Sequence, residues 1–72
     1  MSNVYKKIEL VGSSRDGVDE AIRGAIRKAG ETMRNLDWFE VNEIRGWIKD
    51  GEVQHFQVTL QVGFRLDDAP VD

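Results

Sequence analysis

Residues 52–66 form the most regular pattern in the chain, an alternation of apolar and mostly polar side chains. The apolar positions are Phe56, Val58, Leu60, Val62, Phe64 and Leu66, and between them lie His55, Gln57, Thr59, Gln61, Gly63 and Arg65. Successive side chains of a β-strand point to opposite faces, so a period of two predicts a long strand with one apolar face. Such a strand requires a sheet that is covered on one side and open on the other.

The covering element is a predicted helix over residues 15–34. Its apolar side chains recur at steps of three and four residues, which gives one stripe: Val18, Ala21, Ile22, Ala25, Ile26, Ala29 and Met33. We expect Ser13 or Ser14 to cap the helix, because a hydroxyl oxygen can accept a hydrogen bond from the first turn.

Two further strands complete the predicted sheet, at residues 4–11 and 37–49. With a right-handed crossover, the order strand, helix, strand, strand places the last strand between the other two. The expected fold class is therefore α+β, a βαββ unit whose three-stranded antiparallel sheet wraps around one helix.

The turn between the last two strands fixes their register. A two-residue loop, Asp50–Gly51, would set apolar Ile44 opposite polar Gln57, which a regular pleated pair does not allow. A three-residue loop, Lys49–Gly51, pairs Ile44 with Phe56 instead and puts glycine at a left-handed position. We therefore predict the three-residue loop and a positive φ at Gly51.

A β-bulge is also predicted in the second strand. Phe39 and Val41 are the apolar positions at odd numbers, whereas Ile44 is at an even number. One extra residue near Asn42 or Glu43 would keep all three apolar side chains on the buried face.

The composition excludes several classes of protein. The 72 residues make one domain, 1–72, with residues 67–72 expected to fray as an acidic tail. There is no cysteine, His55 is the only histidine and the net charge is −3. These features disfavour disulfides, a metal site and nucleic acid as a partner. No apolar run of membrane-spanning length and no signal-peptide core are present, so we expect a cytoplasmic protein.

Short length favours self-association. A chain of this size buries only about 60% of its unfolded surface, and small folds usually need a staple. With disulfides and metals disfavoured, oligomerisation is the remaining source of additional stability.

The open face of the sheet carries the candidate binding residues. Trp38 offers a flat π-surface, Gln57 can both donate and accept hydrogen bonds, and Arg45 carries a fixed positive fork. This set suits a flat heteroaromatic ligand with imide-like edges and a phosphate. The plainer interpretation is a solvated sheet face on which Trp38 and Trp47 fill a subunit interface.

At this point the sequence resembles a bacterial dodecin. The similar segments are "VYKKIELVGSS", the helix with "ETMRNLDWFEV", then "EIRG" and "FQVTLQVGFRL". The resemblance implies a hollow dodecamer of cubic symmetry that binds FMN, or riboflavin and related flavins, without catalysis. It implies paired flavins between symmetry-related Trp38 side chains, with Gln57 on the isoalloxazine ring, Arg45 at a basic position and Asp37 beside the ring.

Some bacterial dodecins resemble coenzyme A binders as well, which suggests a second inter-subunit site. The candidate residues for a phosphate or for coenzyme A are Lys6, Lys28, Thr32, Met33, Arg34 and Arg65. For each of these alone, a solubilising surface residue is the preferred interpretation. We read Trp47 as interface or partly exposed surface, and His55 as a surface residue near Arg45.

Three functions follow from these observations. The leading one is storage and photoprotective sequestration of flavin. A flavin-dependent oxidoreductase is disfavoured, because stacking on both ring faces leaves no room for a substrate and no nucleophile constellation is present. A structural assembly module without a cofactor is the third.

Overall fold

Three antiparallel strands and one helix make up residues 3–67, the part of the chain that the computed structural model describes. The elements are β1 (Tyr5–Ser14), α1 (Val18–Gly30), β2 (Leu36–Lys49) and β3 (Glu52–Arg65). The sheet order is β1-β3-β2, with both pairings antiparallel. The predicted βαββ fold and central last strand are confirmed. Apart from Asp67, the tail that was expected to fray lies outside the described residues.

The predicted start of the helix was wrong. Ser13 and Ser14 belong to β1, where they pair with Gln57 and Phe56 of β3. The helix begins at Val18 behind Gly17, which makes no side-chain capping bond. The serines therefore extend the sheet instead of capping α1. The helix also ends at Gly30, four residues before the predicted end.

The helix lies on β1 and β3 at very short range. Val58, Leu60, Val62 and Ala21 are the fully buried apolar residues of the described chain. Gly12 allows this contact, because a Cβ there would collide with the Ala21 carbonyl oxygen. Small residues on the helix stripe thus bring the helix backbone down onto the sheet.

The helix leaves the inner face of β2 bare. Phe39, Val41 and Ile44 lie opposite Val62, Leu60 and Val58 and so share their face. We expected these three β2 side chains to be buried, but they are 48%, 40% and 56% exposed. The reason is that α1 covers β1 and β3. A groove of about 510 Å³, lined by both apolar and charged residues, remains between Phe39 and the helix.

The predicted three-residue turn was also wrong. Lys49 pairs with Glu52, so the loop is the two-residue Asp50–Gly51. Both residues have positive φ, 54° and 78°, as a tight hairpin turn with matching twist requires. The positive φ at Gly51 is confirmed, and aspartate tolerates the same region at the position before it.

A bulge in β3 removes the mismatch of apolar and polar faces that had led us to reject a two-residue turn. Trp47 pairs with His55, but Ile48 pairs with Val53, which leaves Gln54 as an extra residue in β3. This second irregularity moves Ile44 from Gln57 to Val58. The sequence pattern did not reveal it.

The bulge predicted in β2 is confirmed. The register shifts between Val41 and Glu43, and Asn42 is the extra residue. The shift keeps Val41 and Ile44 on the inner face and turns Glu43 and Arg45 outward.

A single chain is more extended than a compact domain of the same length. Its radius of gyration is 15.6 Å and it spans 62 Å along its longest axis. A compact domain of this length has a radius of gyration of about 11 Å. The long β2–β3 hairpin and its uncovered apolar face account for the difference.

We therefore expect folding to depend on association. The solution mass from light scattering should be a multiple of the 8.2 kDa chain. The unfolding midpoint should also rise with protein concentration, because subunit binding stabilises only the folded state. A folded 8.2 kDa species whose unfolding midpoint does not change with concentration would contradict this expectation.

Candidate functional site

A bulge at the start of β2 turns Trp38 to the outside. Leu36 pairs with Phe64 and Trp38 pairs with Gly63, so Asp37 is an extra residue between them. In a regular strand, Leu36 and Trp38 would share one face. The bulge instead lets Leu36 pack against the core while Trp38 lies on the opposite face.

The indole of Trp38 rests on the backbone of β3. A Cβ added at Gly63 would collide with three consecutive atoms of the indole, which shows how closely the ring lies over this glycine. Tyr5 meets the indole edge-on, with ring centroids 5.3 Å apart and planes at 73°. Trp38 is still 41% exposed. Trp38 is thus a supported aromatic platform with a free surface.

An ion pair borders this platform. Lys7 and Glu40 lie on the same face of the sheet, and their side chains form a salt bridge although each is about half exposed. Such an exposed pair contributes at most about 1 kcal/mol to stability.

Arg45 and Gln57 form a polar pair farther along the same face. They are direct cross-strand neighbours of β2 and β3, with Gln57 half-buried and the Arg45 side chain 59% exposed. The nearest recorded acid to Arg45 is Glu43, at 3.8 Å between Nη1 and Oε1. That distance is beyond hydrogen-bonding range, so the guanidinium has donors available to a ligand.

A single chain does not bring Trp38 and Gln57 together. Gly63, which carries the Trp38 ring, is six residues from Gln57 along β3. At 3.3 Å per residue, the two positions are about 20 Å apart. A flat ligand that contacts both must therefore take Trp38 from one copy of the chain and Gln57 from another.

A third cluster, which sequence reasoning missed, lies near the hairpin end. His55 pairs with Trp47, and their rings stack at 4.4 Å with an angle of 19°. The Arg45 guanidinium carbon is 5.5 Å from the centre of the Trp47 ring. We had placed His55 on the surface near Arg45, but it is half-buried and paired with Trp47. The error follows from the wrong turn length. The signal that could have revealed the pair is the presence of one aromatic ring on each strand near the hairpin turn, Trp47 on β2 and His55 on β3.

The candidates for a second, phosphate-binding site divide between two grooves. Lys28, Thr32 and Met33 line a groove of about 430 Å³ between the helix end and β1. Met33, Arg34 and Arg65 line another of about 250 Å³ at the end of β3. Lys6 belongs to neither lining. Binding of phosphate or coenzyme A here stays a prediction.

Two of these cations already have acidic partners. Lys28 lies 3.5 Å from Glu31, and Arg34 donates to Asp67 at 2.6 Å. Asn35 also donates to Asp67, and this hydrogen bond, with the charge of Arg34, lowers the pKa of the Asp67 carboxyl. Arg34 and Asn35 thus already share the Asp67 carboxylate as their hydrogen-bond acceptor.

Residues 3–67 hold neither a cluster of metal ligands nor a membrane-spanning helix. There, no group of three or more His, Cys, Asp or Glu side chains is arranged to hold a metal ion. The helix in the same range falls short of the length and hydropathy that a membrane crossing requires.

Comparisons with known proteins agree on one family. The family model described as Dodecin matches residues 4–67. A dodecin of Thermus thermophilus is 54% identical over 68 residues, which cover 94% of this chain and 99% of the relative.

Solved structures agree with the observed fold. The dodecin structure from Streptomyces davaonensis is 51% identical, with a TM-score of 0.88 over 94% of this chain and 100% of that one. The dodecin structure from Streptomyces coelicolor is 52% identical, with a TM-score of 0.87 over 93% of this chain and 96% of that one. With a family match along nearly its whole length and the same βαββ architecture, the chain belongs to the dodecin family.

Proposed function

We propose that this protein stores and sequesters FMN, and that it does so as a homododecamer in which pairs of flavins stack between Trp38 side chains of neighbouring subunits. The observation that carries the proposal is the placement of Trp38. A bulge turns it out of the core, a glycine supports its ring, and much of the indole is left open. Membership of the dodecin family supports the same ligand class.

The residues present fit a flavin. The free face of the Trp38 indole can stack on part of a flat tricyclic ring. The Gln57 amide offers one donor group and one acceptor, which matches the imide edge of the ring. The free donors of Arg45 suit a phosphate, which FMN carries and riboflavin lacks. Asp37, beside Trp38 in the bulge, is exposed at the edge of the platform.

Assembly completes the site. Because Trp38 and Gln57 are about 20 Å apart in one chain, a symmetric arrangement of copies is required to bring both to one ligand. The bare apolar face of β2 supplies a reason for the copies to associate. Flavin binding is therefore expected to depend on oligomerisation, whereas association through the apolar face does not require the flavin.

Sequestration suits this geometry better than catalysis. A flavin covered on both ring faces is shielded from any substrate that must approach its reactive nitrogen. Bound flavin is a strong oxidant in its excited state. The stacked indole of Trp38 can donate an electron to it and so quench the excitation before it damages other molecules.

A fluorescence titration tests the proposal. FMN added to the wild-type protein should lose most of its emission on binding. Trp38→Phe should still bind flavin, because phenylalanine also stacks, but should restore part of the emission, because phenylalanine is a poor electron donor. The bound fraction is measured separately by ultrafiltration, so that quenching is compared per bound flavin.

Two results would refute the assignment. If FMN keeps its emission and passes the filter with the wild-type protein present, the chain is an assembly module without this cofactor. If both proteins quench bound flavin equally, Trp38 is not the quencher. Reduction of bound flavin by NAD(P)H with turnover would instead favour an oxidoreductase.

A further inference from the structure

We propose that Trp47 is a positioning residue that holds the Arg45 guanidinium ready for the phosphate of FMN, and that it thereby sets the preference for FMN over riboflavin. This inference rests on the proposed function. It assigns a role to Trp47 and His55, the aromatic pair near the hairpin end that the flavin-stacking site leaves unused.

The contact between Trp47 and Arg45 is built into β2. The two residues are two positions apart on the strand, downstream of the Asn42 bulge, and so lie on the same outer face. The guanidinium carbon is 5.5 Å from the centre of the indole ring, within the range of a cation–π interaction. Without that bulge, Arg45 and Trp47 would both face inward.

Trp47 is itself held in place from the neighbouring strand. Its ring stacks on the half-buried His55, at 4.4 Å and 19°, directly across the hairpin. The stack restricts the rotation of the indole. The ring is therefore a fixed surface against which the longer Arg45 side chain can rest.

No strong ion pair competes for Arg45 among the described residues. Glu43 is 3.8 Å away, and both side chains are more than half exposed. An exposed pair at this distance restrains a long side chain weakly. The aromatic contact is thus the better-defined restraint on the guanidinium.

Contact with a ring leaves the guanidinium able to bind an anion. A cation–π contact can be made through the flat face, whereas the N–H groups point outward in the plane of the guanidinium. These in-plane donors match the oxygens of a phosphate in a two-bond arrangement. A pre-positioned guanidinium loses less conformational freedom when the phosphate arrives, which favours FMN but does nothing for riboflavin.

The test is the ratio of the riboflavin Kd to the FMN Kd, measured by fluorescence titration of the assembled protein. Trp47→Leu should lower this ratio roughly two- to fivefold, the factor that one exposed cation–π contact represents. The riboflavin Kd itself should stay constant. Trp47→Phe should restore most of the ratio, because it keeps an aromatic face beside Arg45.

Two further variants serve as a positive and a negative control. Arg45→Ala should lower the ratio at least as far as Trp47→Leu, because it removes the group that reads the phosphate. Val53→Ala changes another exposed apolar side chain of the same hairpin and should leave the ratio unchanged.

The possible failures are distinguishable. If Trp47→Leu weakens both flavins equally, Trp47 serves folding or assembly and the positioning role is overturned. An unchanged ratio in Trp47→Leu alongside a lowered ratio in Arg45→Ala would overturn it too, while leaving the flavin site intact. If the wild-type protein binds neither flavin, the proposed function fails and this inference fails with it.

Discussion

Replacing Trp38 with alanine is expected to weaken FMN binding by at least tenfold. The substitution removes the platform that lies over Gly63 and on which the flavin would stack. An aromatic pair contributes about 0.5–1.5 kcal/mol beyond the burial of its area. Loss of that burial adds to the effect, and about 1.4 kcal/mol already corresponds to a tenfold change in Kd. In the proposed arrangement two symmetry-related rings enclose each flavin pair, so the loss would be felt on both sides.

The measurement is a titration of FMN at constant protein concentration, with bound flavin determined by ultrafiltration. Light scattering on the same samples should show that Trp38→Ala keeps the mass of the wild-type assembly, since the indole lies outside the core. The matched control is Trp38→Phe, which should retain most of the affinity. A Kd for Trp38→Ala within twofold of the wild-type value would exclude stacking on this residue.

A second large effect is expected from Gly12→Ala, which should destabilise the fold. The added methyl group would collide with the Ala21 carbonyl oxygen and would approach the Ala25 Cβ to 3.0 Å. The obstacle on one side is helix backbone, which cannot rotate away as a side chain can. Overpacking of this kind costs about 1–3 kcal/mol, and here the helix must lift from the sheet to relieve it.

Gly24→Ala provides a control with the same chemical change. Gly24 lies in the middle of α1, and a Cβ there meets nothing within 4 Å. Alanine should stabilise the helix by roughly 0.8–1.0 kcal/mol, because glycine is the poorer helix former. Urea unfolding at one fixed protein concentration should therefore shift the two variants in opposite directions. Equal midpoints for both variants would show that the close contact at Gly12 is not limiting.

The flavin was predicted from the resemblance to dodecins, whereas the placement of its candidate residues depended on parity, which the sequence displays directly. The alternation through β3 and the switch between Val41 and Ile44 were enough to predict a bulge near Asn42 or Glu43. The same parity put Trp38, Arg45 and Gln57 on one open face. These statements concern neighbours along one strand or across one hairpin, where side-chain direction follows from the backbone period alone.

The length of the turn between β2 and β3 was predicted wrongly because the sequence pattern does not show in which strand an extra residue lies. A two-residue loop seemed to set Ile44 opposite Gln57, but an extra residue at Gln54 in the other strand corrects the register. A bulge in either strand produces the same change in parity. The sequence showed that the apolar faces of β2 and β3 must coincide. Only the observed strand pairing showed which of the two strands carries the extra residue. Because the wrong turn was chosen, the stacking of Trp47 on His55 was not predicted.

By itself, the sequence determined the order of the elements, the central place of β3 and the face on which Trp38 lies, because these follow from residue period and chain connectivity. Only the tertiary structure decided which apolar side chains the helix covers. Packing of α1 over β1 and β3, allowed by the absence of a side chain at Gly12, leaves Phe39, Val41 and Ile44 bare. The register of β2 on β3 sets Trp38 opposite Gly63, six residues along β3 from Gln57, a distance that side chains cannot span within one subunit.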